Sequence, residues 1–182
     1  MKFIITTCVF SQSQKPREAP NVAEFLRDNE IMITQSTLVD IELGIAQSAE
    51  RDPARAAMLR EWLRLERDRF DVVADSGENF QKALAGMVAC KAIQSLWTCA
   101  PAAKQFSFRQ MLWVAAAAIS NELPIATKST RIYGEIDRHI PLPGIYNPID
   151  MSWHTRTAIR TKRVRVRRRA TDAGADASVV AT

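Results

Sequence analysis

The sequence has no apolar run long enough to cross a membrane. A spanning helix needs about 18 consecutive apolar residues, and the longest run, Met111 to Ile119, is only half that length. The apolar start of the chain is followed early by Gln12, Gln14 and Lys15, which leaves no room for the apolar core of a secretory signal. We therefore expect a cytoplasmic protein that has no membrane partner.

Cysteine is scarce and unpaired in the sequence. The three cysteines, Cys8, Cys90 and Cys99, form no Cys-x-x-Cys motif and are odd in number. This argues against a disulfide framework and against a cysteine-based zinc site, and it favours buried or incidental thiols. Apolar residues make up 47% of the chain and the mean hydropathy is -0.15, which is typical of a globular protein.

Excess basic charge is confined to the C-terminal segment. Residues 156–182 hold eight Lys and Arg against two Asp, whereas residues 1–155 hold 17 basic and 18 acidic side chains. We predict one domain over residues 1–153 and a basic, disordered tail over residues 154–182. Two interpretations of the tail stay open: it is the product of a shifted reading frame, or it binds nucleic acid through phosphate contacts. The second interpretation rests mainly on Arg163, Arg165, Arg167, Arg168 and Arg169.

Strand-like and helix-like segments alternate along the predicted domain. β-Branched and other apolar residues predict strands over Lys2–Phe10, Ile31–Thr34, Val72–Ala74 and Pro124–Thr127. Apolar residues at helical spacing predict helices that begin near Asn21, Ser36 or Thr37, Asp52, Ser76, Met111 and Thr130. Such alternation implies an α/β fold with a central parallel sheet covered on both faces.

The helix that follows Asp52 has the clearest start signal in the sequence. A capping carboxylate is followed by Pro53 at the first helical position, where the missing N–H of proline is harmless. Its apolar residues are expected to face the core, and they are Met58, Leu59, Trp62, Leu63 and Leu65.

Six segments keep the order and spacing of a known family. They are Phe3–Gln12, Lys15–Leu26, Thr37–Ala46, Arg109–Ala116, Pro124–Ser129 and Pro141–Pro148, the last followed by Trp153. Phe3–Gln12 resembles the strand that reads Asp-Thr-Asn-Val in the VapC-type PIN-domain toxins, and Thr37–Ala46 resembles their Thr-Leu-Ala-Glu helix. Arg109–Ala116 resembles the helix that begins Asp-Leu, and Pro124–Ser129 resembles the Ala-Thr strand. These toxins include plasmid-stability members of bacterial toxin–antitoxin modules. The resemblance covers about residues 3–153.

The resemblance implies a PIN-like α/β/α sandwich that acts as a Mg²⁺-dependent endoribonuclease. It also implies a cognate antitoxin as protein partner and a homodimer. Family members gather three or four carboxylates at the carboxyl ends of parallel strands. There they hold a hard cation, which prefers oxygen ligands, and the cation activates water for attack on a phosphate.

Three of the four family acids are replaced in this sequence. The first acid falls at Thr6, the second at Asp40 and the third at Met111, and the fourth falls at Ile132, or at Arg131 if a gap is counted differently. Asp40 is therefore the single candidate for a catalytic residue and metal ligand. Cys8 and Ser129 also stand where the family often has asparagine.

The missing acids indicate a toxin-like protein whose catalysis is impaired or lost, with Mg²⁺ as cofactor only if activity remains. Glu135 and Asp137 are conceivable substitute ligands, but an exposed helix face explains them more simply. Two alternatives stay open. One is an active Mg²⁺-dependent endoribonuclease with a rearranged site. The other is a nucleic-acid-binding module that acts through the basic tail. RNA would be the substrate of the rearranged endoribonuclease and a possible ligand of the nucleic-acid-binding module.

Overall fold

The computed structural model of the chain describes residues 1–15, 17, 19–98 and 105–155. The strands of this part are β1 (Lys2–Ile5), β2 (Glu30–Ile33), β3 (Asp71–Val72), β4 (Ile125–Ala126), β5 (Ile145–Asn147) and β6 (Ser152–Thr155). Its helices are α1 (Thr7–Phe10), α2 (Pro20–Asp28), α3 (Gln35–Ala49), α4 (Pro53–Arg67), α5 (Glu78–Ala89), α6 (Gln105–Asn121) and α7 (Thr130–His139). Short 3-10 turns occupy Ser11–Gln14 and Lys91–Leu96.

The six strands form one sheet in the order β3-β2-β1-β4-β5-β6. The first five strands are parallel, with Ile4 of β1 opposite Met32 on one side and Ile125 on the other. Strand β6 is antiparallel to β5. The expected α/β architecture with a central, mostly parallel sheet is confirmed.

Alternate side chains of β1 enter two separate apolar cores. Ile4 packs in a core with Phe80 of α5, Tyr133 of α7 and the fully buried alanines Ala115–Ala118 of α6. Phe3 and Ile5 pack in the opposite core, which α1 to α4 cover. This two-residue alternation follows from the pleat of a strand that is covered on both faces, so the molecule has three layers.

The opening strand is shorter than the sequence predicts. It ends at Ile5, and Thr7–Phe10 is helical rather than extended. The prediction was wrong there because Val9 and Phe10 have strong strand preference, yet both are buried in the core beneath α3 and α4, where tertiary packing overrides local preference. The helix brings Thr7 and Cys8 to the end of β1, beside the pocket described below.

The helix α4 begins as predicted but faces the core differently. The Asp52 side chain accepts a hydrogen bond from Arg55 N at 3.0 Å, and Pro53 is the first residue of the helix. The inner face is Ala56 and Leu63, whereas Met58 is 66% exposed and Leu65 is 56% exposed. The predicted core positions of these last two residues were therefore wrong.

Asp75, in the loop after β3, ties two helices together. Its Oδ2 accepts hydrogen bonds from Gln35 N, at the start of α3, and from Trp113 Nε1 of α6, at 3.1 and 3.0 Å. One carboxylate thus caps one helix and anchors another near the pocket.

We expect Asp75→Ala to lower the free energy of unfolding by about 1–2 kcal/mol, because both charge-assisted hydrogen bonds are lost. Urea denaturation measures the change. Glu78→Ala is the matched control, since Glu78 is exposed and pairs with Lys82 on the surface, and it is expected to leave the midpoint nearly unchanged. Equal midpoints for the two variants would contradict this role of Asp75.

Within the part of the chain that the structure describes, no helix combines the length and the apolar character that crossing a bilayer requires. Strand β6 runs to Thr155. The predicted tail beyond it, including Arg163, Arg165, Arg167, Arg168 and Arg169, lies outside the described residues.

Candidate functional site

A pocket of about 230 Å³ opens at the carboxyl ends of β1 and β4. The chain runs from β1 outwards to β3 and then returns to β4 on the other side of β1. This is the switch point at which open parallel sheets usually bind ligands. The pocket is lined by Thr6, Thr7, Cys8, Ser11, Asp40, Gln110, Met111, Val114, Thr127, Ser129 and Tyr133.

Hydroxyl and thiol groups, rather than carboxylates, form the floor of the pocket. Thr6 Oγ1 donates to Thr127 Oγ1 at 3.1 Å, and Ser129 N donates to the same oxygen at 3.0 Å. Cys8 Sγ lies 3.1 Å from Thr6 Oγ1 and 3.7 Å from Thr127 Oγ1. Thr6 and Thr127 are buried, so their hydroxyls satisfy one another with little help from water.

The Gln110 side chain holds the part of α6 that lines the pocket. Its Nε2 donates to Thr7 Oγ1 at 3.1 Å and to Ser36 O at 2.7 Å. A single side chain of α6 is therefore joined to α1 and α3. Met111, the next residue, is held at the pocket by this connection.

Tyr133, from α7, closes one side of the pocket. The residue is 1% exposed, and its hydroxyl makes no hydrogen bond with any described residue. Burial raises the pKa of the Tyr133 hydroxyl well above its ordinary value, and the nearby Cys8 and Asp40 side chains act in the same direction. The hydroxyl therefore stays neutral at physiological pH and keeps both a proton and acceptor lone pairs.

Asp40, from α3, is the single acidic side chain among the described lining residues. It is half-buried and makes no hydrogen bond or ion pair with the described residues. None of the described lining residues is a Lys or an Arg. Within the described lining, the Asp40 carboxylate therefore has no opposite charge beside it.

The structure brings together three of the four positions carried over from the family. Thr6, Asp40 and Met111 line the pocket, but Ile132 does not. Ile132 and Arg131 line a separate depression with Lys128 and Glu135. On a helix, adjacent side chains point about 100° apart, and the residue that α7 turns towards the pocket is Tyr133.

Sequence reasoning missed Tyr133, Thr127 and Gln110 as pocket residues. Tyr133 lies four residues after Ser129, which is the spacing that places two side chains on one helix face. That spacing was a usable signal for Tyr133. Gln110 and Thr127 have no comparable signal, because their roles depend on neighbours distant in sequence.

The lining does not fit Mg²⁺. This ion demands octahedral oxygen geometry, and the family pattern described above gathers three or four carboxylates around it. Here one carboxylate faces neutral hydroxyls that already bond to one another. Among the described residues, no group of three or more His, Cys, Asp and Glu side chains lies close enough to hold a metal ion.

The two acidic residues considered as substitutes are engaged elsewhere. Glu135 pairs with Arg138 and His139 on the surface of α7. Asp137 Oδ1 accepts a hydrogen bond from Leu142 N at 2.7 Å. Neither residue lines the pocket.

No family model matches the sequence, and no curated protein matches it. Solved structures do match. VapBC2 from Rickettsia felis, bound to a DNA fragment from its promoter, has 14% identity and a TM-score of 0.57, and the match covers 81% of this chain and 98% of that chain. FitAcB from Neisseria gonorrhoeae has 17% identity, the same TM-score and the same coverage.

A third match gives the same result. VapBC-1 from nontypeable Haemophilus influenzae has 14% identity and a TM-score of 0.55, with 76% of this chain and 94% of that chain covered. Identities this low carry the fold and not the activity. The sheet order, the two helical layers and these likenesses agree, and the chain has a PIN-like α/β/α fold.

Proposed function

We propose that this chain is the toxin-like component of a toxin–antitoxin module and that its pocket does not support metal-dependent RNA cleavage. The observation that carries the proposal is the lining, in which one carboxylate, Asp40, stands among hydroxyl, thiol and apolar groups. In the family pattern three or four carboxylates hold the divalent ion that activates water, and the described lining offers one. Without the ion, the attacking water would lack the group that activates it in the family mechanism.

The proposal keeps an antitoxin-like protein as partner. Its support is the likeness to VapBC2, VapBC-1 and FitAcB, whose names describe toxin–antitoxin assemblies. The homodimer that the family resemblance implies stays a prediction. A protein that still binds its antitoxin-like partner but lacks the acids of the pocket would act by binding that partner rather than by cleaving RNA.

A ribonuclease assay with the purified chain tests the proposal. Structured and unstructured RNA are incubated with Mg²⁺ or Mn²⁺, and with EDTA as the metal-free reference. We expect equal, background-level cleavage in all three, and no change on Asp40→Ala. Robust metal-dependent cleavage that Asp40→Ala abolishes would overturn the proposal and favour the active enzyme with a rearranged site.

A further inference from the structure

Two polar groups of the pocket have no hydrogen-bond partner among the described residues. One is the Asp40 carboxylate. The other is the Tyr133 hydroxyl, which belongs to a 99% buried residue and still makes no hydrogen bond with the described residues. Buried polar groups are nearly always satisfied by protein, water or ligand. The Tyr133 hydroxyl lies on the wall of the pocket and is therefore free to bond to an occupant.

The charge of the lining selects the sign of the occupant. Asp40 contributes a negative charge, and none of the described lining residues is a Lys or Arg that would offset it. Narrow pockets with low-dielectric walls strengthen such a field. An anion, such as a carboxylate or a phosphate group, is disfavoured there, and a cation is favoured.

The remaining walls select the kind of cation. A divalent ion lacks ligands, as shown above, whereas Met111 and Val114 give the pocket an apolar side. A group that is charged at one end and apolar along its stem fits both features. An ammonium group also carries three N–H donors and no acceptor, which matches a carboxylate and a hydroxyl with free lone pairs.

We propose that the pocket binds an alkylammonium group, with its nitrogen on Asp40 and the Tyr133 hydroxyl and its stem against Met111 and Val114. The volume of about 230 Å³ is below the roughly 300–1,000 Å³ of pockets for drug-sized ligands. The occupant is therefore a short primary amine or the end of a lysine side chain. This inference rests on the pocket alone and does not depend on the proposed function.

Titration of the ¹⁵N-labelled full chain with propylammonium chloride tests the proposal by NMR. We expect saturable shifts at the amides of Thr6, Asp40 and Ser129, with a dissociation constant on the order of a millimolar because so small a ligand has few contacts. Propionate, 1-propanol and tetramethylammonium serve as matched probes that lack the charge or the N–H donors. None of the three is expected to saturate in the same range.

Three variants connect the binding to the residues. Asp40→Asn keeps the shape and removes the charge, and it is expected to weaken propylammonium binding at least about tenfold. Tyr133→Phe removes only the hydroxyl and is expected to weaken binding about threefold to tenfold. Glu42→Gln, on the exposed side of the same helix α3, is the control and is expected to change nothing.

The outcomes separate clearly. Saturable binding that falls in Asp40→Asn and persists in Glu42→Gln supports the proposal, and tighter binding of Nα-acetyl-lysine methylamide than of propylammonium identifies a lysine side chain as the source. No saturation by either amine, equal binding of propionate, or displacement of the amine by millimolar Mg²⁺ overturns it. Unchanged spectra outside the pocket show that each variant is folded.

Discussion

Introducing aspartate at both Thr6 and Met111 is expected to turn the pocket into a divalent-metal site. Both residues line the pocket with Asp40, so the double variant Thr6→Asp/Met111→Asp brings three carboxylates to one place. Without metal, their mutual repulsion and the burial of Thr6, which is 6% exposed, should destabilise the fold. A bound divalent ion should restore it, by about 2.7 kcal/mol at a concentration one hundred times the dissociation constant.

Thermal unfolding with and without Mn²⁺ measures this effect. The control is Thr6→Asn/Met111→Asn, which has nearly the same shapes and no added charge, and its midpoint should not respond to metal. The wild-type chain should not respond either. Adding Ile132→Asp is expected to add nothing, because Ile132 lies outside the pocket. A folded double-aspartate variant with no metal response would show that the pocket does not correspond to the family's metal site.

The replacement Phe3→Ala is expected to remove much of the stability of the domain. The Phe3 ring is 3% exposed, and its centroid lies 5.0 Å from Phe25, 5.5 Å from Tyr146 and 5.7 Å from Trp153. Truncation of such a ring costs about 3–5 kcal/mol, against a total of about 5–15 kcal/mol for a typical domain. The midpoint of thermal unfolding should fall by roughly 10 °C or more.

Met58→Ala is the matched control for this loss. Sequence periodicity predicts that Met58 faces the core, whereas the side chain is 66% exposed. Its truncation is therefore expected to change the free energy of unfolding by less than about 0.5 kcal/mol. Comparable losses for the two variants, measured by the same thermal scans, would contradict both the aromatic cluster and the orientation of α4.

Much of the fold could be predicted from local patterns. The strands near residues 2–5 and 31–33, and the helix that starts at Pro53, follow from residue preference and from a capping signal. Strands β5 and β6 could not be predicted, because they are short and lie beside Pro143, Gly144 and Pro148. Their pairing depends on partners elsewhere in the sheet rather than on their own sequence.

The candidate site was predictable only in part. Thr6, Asp40 and Met111 were placed by their order within the family pattern, and the fold does bring them to one pocket. Ile132 does not line the pocket, whereas the next residue, Tyr133, does, because adjacent side chains on a helix point about 100° apart. The hydroxyl network of Thr6 with Thr127 joins residues 121 positions apart, a contact that no local pattern contains.

The alanine stretch Ala115–Ala118 has a consequence for how the protein can change. All four residues are fully buried, and methyl groups have no rotamers to rearrange. Over these four residues the backbone of α6 therefore packs closely against its neighbours, in addition to the hydrogen bonds that Gln110 makes nearer the start of the helix. Substitutions of lining residues can therefore change the chemistry of the pocket while the backbone of α6 keeps its position.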